Sequence, residues 1–449
     1  MATTALTRRR VLAAGAAATA ALSAPFVRGA YAAGKLSVGF WDHWVPGAND
    51  TLRKLAQQWA EKEKVDLTID FITSTGDKLR ITMAAEAQAG SGHDALAMST
   101  WLPSSYAEKL EPVDDIVQPL LQQNGGVGQT VEYLGKAKGK WVAVPACVGT
   151  QSKPPCGRID LLKQHVGLDV TQMYPAGRQP DKELADKWSW DFFLQAAEKC
   201  AKAGVPFGMP MGPTLDAVDW VGAVFASHGS TLVDEKGDVT VKSDATRQVL
   251  EWFKKLVSAL PPDVFAWDDA SNNKILVSGK SALIMNPPSA WAVAKRDAPK
   301  VAEQLWTFPA PKGPKGRYEP FLPYYWTVWS FSQNKPAAKS LLTHLSQRAS
   351  VEQLVAASQG YDIPPYDKLR DFKTWAEQGP PPGTIYNYPP RDPDRIASIA
   401  AAPAPPDIAV QIYTQATMTK MIAHCTQGGE SIDRAIAWAA DELEGFMRG

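Results

Sequence analysis

The chain has 449 residues, more than one hydrophobic core usually supports, so a fold of two lobes is expected. Lys plus Arg and Asp plus Glu number 47 each, which excludes the basic footprint of a nucleic-acid or anionic-membrane binder and points to an uncharged partner. Cys147, Cys156, Cys200 and Cys425 form no Cys-x-x-Cys and the six histidines are scattered, which argues against a metal centre.

Residues 1–33 read as a cleaved twin-arginine export signal. Arg8-Arg9-Arg10 precedes an uncharged, Ala-rich run, and Ala30-Tyr31-Ala32 offers a small-x-small cleavage site. The run is weakly apolar and shorter than the ~20 strongly apolar residues of a membrane span. No Cys flanks the cleavage site, so a protein released into the periplasm is expected. Lys35 to Trp41 then reads as a buried strand, followed at helical spacing by Leu52, Leu55, Ala56, Trp59 and Ala60, with Asn49 and Asp50 as capping candidates. Val65, Leu67, Ile69 and Phe71 alternate as a second strand. A helix from about Lys78 to Ala89 stops at Gly90 and leads to a third strand, Ala95 to Met98. This alternation predicts an α/β sheet with parallel strands.

Further on, helices are predicted from Trp190 to Ala203 and from Ala245 to Leu260, the second with Val249, Phe253, Leu256, Val257 and Leu260 on one face. The last helix carries Ile432, Ala435, Ile436, Ala439, Ala440 and Leu443 on one stripe behind Ser431 as cap. Pro-rich connections lie at Pro309–Pro314, Pro380–Pro390 and Pro403–Pro406, too short to link independent domains. In an exported chain, Cys147 and Cys156 enclose a short Pro-containing loop, which leaves either a disulfide or two free buried thiols.

Ligands bind outside the carboxyl ends of the strands in such a sheet. Trp41-Asp42-His43-Trp44 follows the first strand and Thr100-Trp101 the third, so aromatic and polar groups reach one edge. Trp220, Trp291, Tyr324-Tyr325 and Tyr361 recur at other connections. Each alone reads equally well as core. Together they suit a sugar, whose C–H faces stack on flat rings while carboxylates and amides take its hydroxyls. Catalytic templates fit poorly. Gly279-Lys280-Ser281 lacks the glycine that a phosphate loop needs five positions earlier, no Gly-x-Ser-x-Gly occurs, and Asp268-Asp269 reads as a solvated turn.

Five segments, in order, resemble the extracellular solute-binding proteins, type 1, that serve ABC importers of sugars. These are "KLSVGFWDHW"; "LAQQWAEKEKVDLTIDFI" with "DKLRITMAAEAQAGSGHDALAMSTW"; "KGKWVAVPACVGT"; "NNKILVSGKSALIMNPPSAW"; and "PKGPKGR" with "SQNKPAAKSLLTHLSQ". The likeness runs from Lys35 to the C-terminal helix. It departs at "SKPPCGRIDLL", 152 to 162, and His93-Asp94 replaces the family's Pro-Asp turn.

The resemblance implies an α/β, two-lobed periplasmic binding protein fold (type II), with three hinge crossovers and a ligand cleft between the lobes. Lobe I is expected over 34–147 plus 323–380 and lobe II over 148–322 plus 381–449. Crossings should fall near Ala146–Thr150, Phe321–Tyr324 and Gly379–Thr384. The residues it carries to the ligand are Trp41, His43, Trp44, Thr100, Trp101, Gln151, Asn286, Trp291, Tyr324 and Tyr325, while Tyr361 and Trp220 are added from position alone. The expected function is a monomeric, periplasmic, non-catalytic binder of a carbohydrate or polyol, without cofactor or metal, delivering to the permease subunits of an ABC transporter. Two alternatives stay open: a secreted carbohydrate-active enzyme, and a binder of a phosphorylated or anionic solute in the same fold. The second needs Arg or Lys in the cleft, and the loops named above hold none.

Overall fold

In the computed structural model, residues 34–176, 178–286, 289–377 and 395–448 are described. The export signal and the third crossing, near Gly379–Thr384, lie outside them. Strand β1 (Lys35–Trp41), helix α1 (Ala48–Glu63), strand β2 (Asp66–Ile72), helix α2 (Lys78–Ala89) and strand β3 (Ala95–Ser99) follow the predicted alternation. β1 is central. It pairs in parallel with β2, from Lys35 opposite Asp66 to Trp41 opposite Ile72, and with β3 on its other side. Val38 to Trp41 are all buried, so both faces of the strand are covered, which explains its near-continuous apolar run. Helix α1 buries the predicted stripe but starts behind Gly47, at φ 87°, with no side-chain cap. Asn49 turns back instead: its amide donates to Asp42 Oδ1 at 2.7 Å and its oxygen accepts from the His43 N–H.

Helix α3 (Asp114–Asn124) and helix α4 (Gln129–Gly135) lead to strand β4 (Val144–Ser152), which is followed by strand β5 (Pro155–Arg158). Helices α5 (Trp190–Lys202), α6 (Leu215–His228), α7 (Asp244–Val257) and α8 (Ser271–Val277) come next. Ser189, Thr214 and Ser243 cap the first three by accepting from backbone N–H groups of the first turn. Strand β6 (Leu283–Met285), helix α9 (Ser289–Asp297) and strand β7 (Leu305–Thr307) complete a small sheet in the order β6-β5-β7. The long strand β8 (Arg317–Val328) precedes helices α10 (Lys335–Leu345) and α11 (Arg348–Ala357), then strand β9 (Arg395–Ser398) and helices α12 (Pro406–Thr414), α13 (Thr417–Thr426) and α14 (Ile432–Phe446). Ser431 caps α14 as predicted.

Two hydrophobic cores result. One gathers α1, β1, β3, α10 and α11; the other gathers α5, α6, α7, α13 and α14. The main sheet runs β9-β8-β3-β1-β2, and β4 also pairs with β8. β8 and β4 cross between the cores side by side and antiparallel. Trp326, Tyr325 and Tyr324 lie opposite Val144, Pro145 and Ala146; after a register shift, Leu322 and Phe321 lie opposite Gln151 and Ser152. The shift is a bulge in β4. Gly149 stands there at φ +92°, and a Cβ on it would lie 2.6 Å from Tyr324 Cγ. Thr150 closes the bulge, its hydroxyl donating to Ala146 O at 2.6 Å and accepting from Tyr324 N–H at 2.8 Å.

The disulfide considered between Cys147 and Cys156 is absent, and both thiols are free and buried. Cys147 sits at the bulge, whereas Cys156 is held in the ladder of the small sheet, between Ile284 and Thr307. Cys200 and Cys425 are likewise free and buried.

Candidate functional site

Strand alternation sorts the side chains at the crossing onto two faces. Gln151 and Lys153 share one face, while Ser152 and its partner Phe321 take the other. Around the first face gather residues from both cores. From the β1 loop, the Trp41 ring lies 5.3 Å from Tyr324 and 6.2 Å from Tyr361, nearly parallel to the latter at 27°. Its indole N–H donates to Ser74 Oγ. His43 accepts the Val45 N–H on Nδ1 at 2.9 Å, so Nε2 carries the proton and donates to Asp362 Oδ1 at 3.1 Å. That same carboxylate oxygen accepts the Gly149 N–H. The His43 side chain therefore pins the loop to the β4 bulge. Trp44 is half-buried against the first core.

The second core supplies polar groups. Lys153, 2% exposed, donates its ammonium to Asp216 Oδ1 at 2.5 Å and to Asp219 Oδ2 at 2.7 Å. Asn272 donates to Asp216 Oδ2, Tyr413 OH to Asp219 Oδ1, and the Asp216 N–H to Asp269 Oδ1. Asn286 donates to Asn273, which donates to Ser289. Burial alone would lower the Lys153 ammonium, but Asp216, Asp219 and Asp269 outweigh it and hold it above its ordinary value. Burial, with the Asp216 charge adding to it, pushes Asp269 up to about 7, and burial also raises Asp219 against the pull of Lys153. Gln151, 4% exposed, keeps an Oε1 that accepts from no donor among the described residues.

The twelve predicted contact residues thus divide. Trp41, His43, Gln151, Tyr324, Tyr361 and Asn286 belong to this constellation. Thr100, at φ 48°, reaches it through a long hydroxyl contact to Tyr413, 3.4 Å. Trp291 is buried in α9 beneath the Lys295 ammonium. Tyr325, next to Tyr324 on the strand, points to the opposite face and donates to Val131 O. Trp220 packs on Phe253 in the second core and donates to Pro210 O. Trp101 donates to Ala400 O and, edge-on to Tyr133, lines a groove of about 550 Å³. An adjoining groove of about 290 Å³ is lined by Ser152, Glu319 and Phe321, on the face away from Lys153.

Sequence reasoning misses Lys153, Asp216, Asp219, Asn272 and Tyr413, and it reads Asp268-Asp269 as one solvated turn. Asp268 caps its own turn through Ser271, while Asp269 faces Asp216. The available signal was the departure at 152 to 162, which holds Lys153. With its ammonium saturated by two carboxylates, this lysine offers no free positive charge to an anion. Among the described residues, no His, Cys, Asp and Glu group could hold a metal ion, and no helix is long and apolar enough to cross a membrane.

Residues 46–352 match the family model for bacterial extracellular solute-binding proteins. No curated protein matches the sequence. Among solved structures, maltose-bound MalE3 of T. maritima is 17% identical and superposes with a TM-score of 0.72, over 92% of this chain and 99% of that one. The GacH receptor of Streptomyces glaucescens GLA.O, solved unliganded and with acarbose, is 20% identical, with a TM-score of 0.68 over 93% and 99%. An ABC transporter solute-binding protein of Agrobacterium vitis S4, with bound D-mannitol, is 18% identical, with a TM-score of 0.67 over the same shares. The two-lobed fold is shared with all three.

Proposed function

We propose that this protein, which belongs to the bacterial extracellular solute-binding protein family, captures a carbohydrate or polyol in the periplasm for an ABC importer and performs no chemistry on it. The observation that carries this reading is the constellation on one face of the crossing strands. Three packed aromatics, Trp41 stacked on Tyr361 and tilted against Tyr324, stand beside the amides of Gln151, Asn273 and Asn286 and the carboxylates of Asp216 and Asp219. Rings cover the apolar face of a sugar and the polar groups take its hydroxyls, each bond to a charged group contributing about 1.5–3 kcal/mol. The maltose, acarbose and D-mannitol held by the similar structures support the same class.

On this reading the lobes are 34–147 plus 323–380 and 148–322 plus 381–449, they close on the ligand as a monomer, and residues 1–33 direct twin-arginine export. A thermal-shift panel of monosaccharides, disaccharides, polyols and sugar phosphates tests it. Neutral sugars or polyols should raise Tm and be recovered unchanged after long incubation. Release of a product would establish the carbohydrate-active enzyme instead, and a shift confined to sugar phosphates would establish the anion binder.

A further inference from the structure

The polar half of the constellation holds more negative charge than its own cation offsets. Among the described residues, Lys153 is the one cation within ion-pair distance of Asp216 or Asp219, and Asp269 abuts Asp216 through its backbone N–H. Two carboxylates with one ammonium already leave a net charge of minus one when ionised, before Asp269 is added. The surplus extends to hydrogen bonding. Each carboxylate offers about four lone-pair sites, yet among the described residues the donors that reach the three are the Lys153 ammonium, Asn272, Tyr413, the Asp216 N–H and Thr214.

Gln151 is an independent indication. Its side chain is 4% exposed, its Oε1 has no donor, and strand alternation turns it to the same face as Lys153, two residues on. A buried acceptor without a donor is costly, and among the described residues none supplies one on this face, so a ligand donor would satisfy it.

We infer that the ligand is a polyhydroxylated compound bearing a protonated amine, whose ammonium is taken by the Asp216, Asp219 and Asp269 carboxylates and whose N–H or O–H groups satisfy Gln151 Oε1. This rests on the carbohydrate reading above and narrows it. A neutral sugar brings donors but leaves the surplus charge buried, whereas an ammonium brings both. Burial and the Asp216 charge raise the Asp269 carboxyl to about 7, so a proton there removes only the charge that Asp269 would add and leaves the surplus of Asp216 and Asp219 over Lys153.

Isothermal titration of the mature protein with matched pairs tests it: D-glucose and D-glucosamine, sorbitol and glucamine, cellobiose and the glucosamine dimer. The amine-bearing member of at least one pair should bind about tenfold tighter or more, as expected of a charge-assisted bond in a buried site. N-acetyl-D-glucosamine, with the ring kept and the charge removed, should show no such gain over D-glucose. Asp269→Asn should bring the amine-to-neutral ratio toward one, and if that variant fails to fold, the wild-type ratios alone decide. Neutral members binding as tightly as their amines, or more tightly, overturns the inference and leaves the carbohydrate reading intact. Binding by none of the six overturns the inference too, and only a flat thermal-shift panel then removes the carbohydrate reading with it.

Discussion

Trp41 packs against His43, Tyr324 and Tyr361, so truncating it removes a platform and opens a cavity together. Trp41→Ala should cost ~3–5 kcal/mol of stability. Among molecules that remain folded it should weaken sugar binding about 30-fold or more, and Trp41→Phe, which keeps part of the stacking face, should weaken it about tenfold or less. Trp220→Ala should cost similar stability, since Trp220 is buried against Phe253, yet leave the Kd of the folded fraction unchanged. Denaturant melts paired with titration calorimetry separate the two; equal losses of affinity would place Trp220 on the ligand. In sequence, both tryptophans look alike, because what distinguishes them is the long-range partner of each ring. Asp269 gives a second test. Its pKa rises from 3.8 in an ordinary carboxylate to about 7 here. The folded chain therefore binds the proton more tightly than the unfolded one, and this group's contribution to stability is lost as pH rises from about 4 to about 7, then stays level. Asp269→Asn should flatten the fall in the urea midpoint between about pH 5 and pH 7. An unchanged slope would mean that Asp269 titrates normally.

At the scale of elements, periodicity was the readable signal. The run Lys35 to Trp41, the stripe of α1, the stop at Gly90 and the Ser431 cap all depend on near neighbours, so they show in sequence. The β4 bulge does not show, because it exists only through its partner strand. Gly149, Thr150, Tyr324 and Asp362 meet there from three segments. Gly149→Ala would force a left-handed φ on a Cβ lying 2.6 Å from Tyr324 Cγ, and it should destabilise the fold by about 2 kcal/mol or more while displacing Tyr324 enough to weaken sugar binding. Chemical denaturation measures the first and calorimetry the second. The cysteines make the same point, since proximity in sequence suggested a bridge that the bulge and the small sheet hold apart. Burial pushes the Cys156 thiol up to about 12 and the Cys147 thiol up as well. No thiol should react quickly in the native protein, and all four free cysteines should react in denaturant. A count of two in denaturant would mean that the bridge forms.

At the scale of the whole molecule, among the described residues the two cores are joined by β4 and β8, and further contacts between them come from β3, its following turn and α2, with Trp101 packed into the second core itself. Trp101 donates to Ala400 O at 2.8 Å, Thr100 approaches Tyr413 OH at 3.4 Å, and Arg80 approaches Thr414 O at 3.3 Å. The two neutral bonds contribute about 0.5–1.5 kcal/mol each and the charge-assisted Arg80 bond about 1.5–3 kcal/mol at most, less at these longer distances, so they can bias closure but not lock it. A ligand shifts such an equilibrium only by its differential affinity for the two states. On the proposed function, a sugar held by Trp41 and Tyr324 on one side and by the Asp216 and Asp219 wall on the other would meet both sets of contacts only when the lobes are together. Small-angle scattering should therefore show a smaller radius of gyration with saturating sugar than without it. Trp101→Phe keeps a ring in place but removes the bond to Ala400 O, so it should enlarge the ligand-free radius and weaken apparent affinity by about tenfold or less, while the saturated radius returns to that of the wild type. A ligand-free radius that neither sugar nor Trp101→Phe changes would mean that the two cores form one rigid body, and the ligand would then have to enter without any motion about β4 and β8.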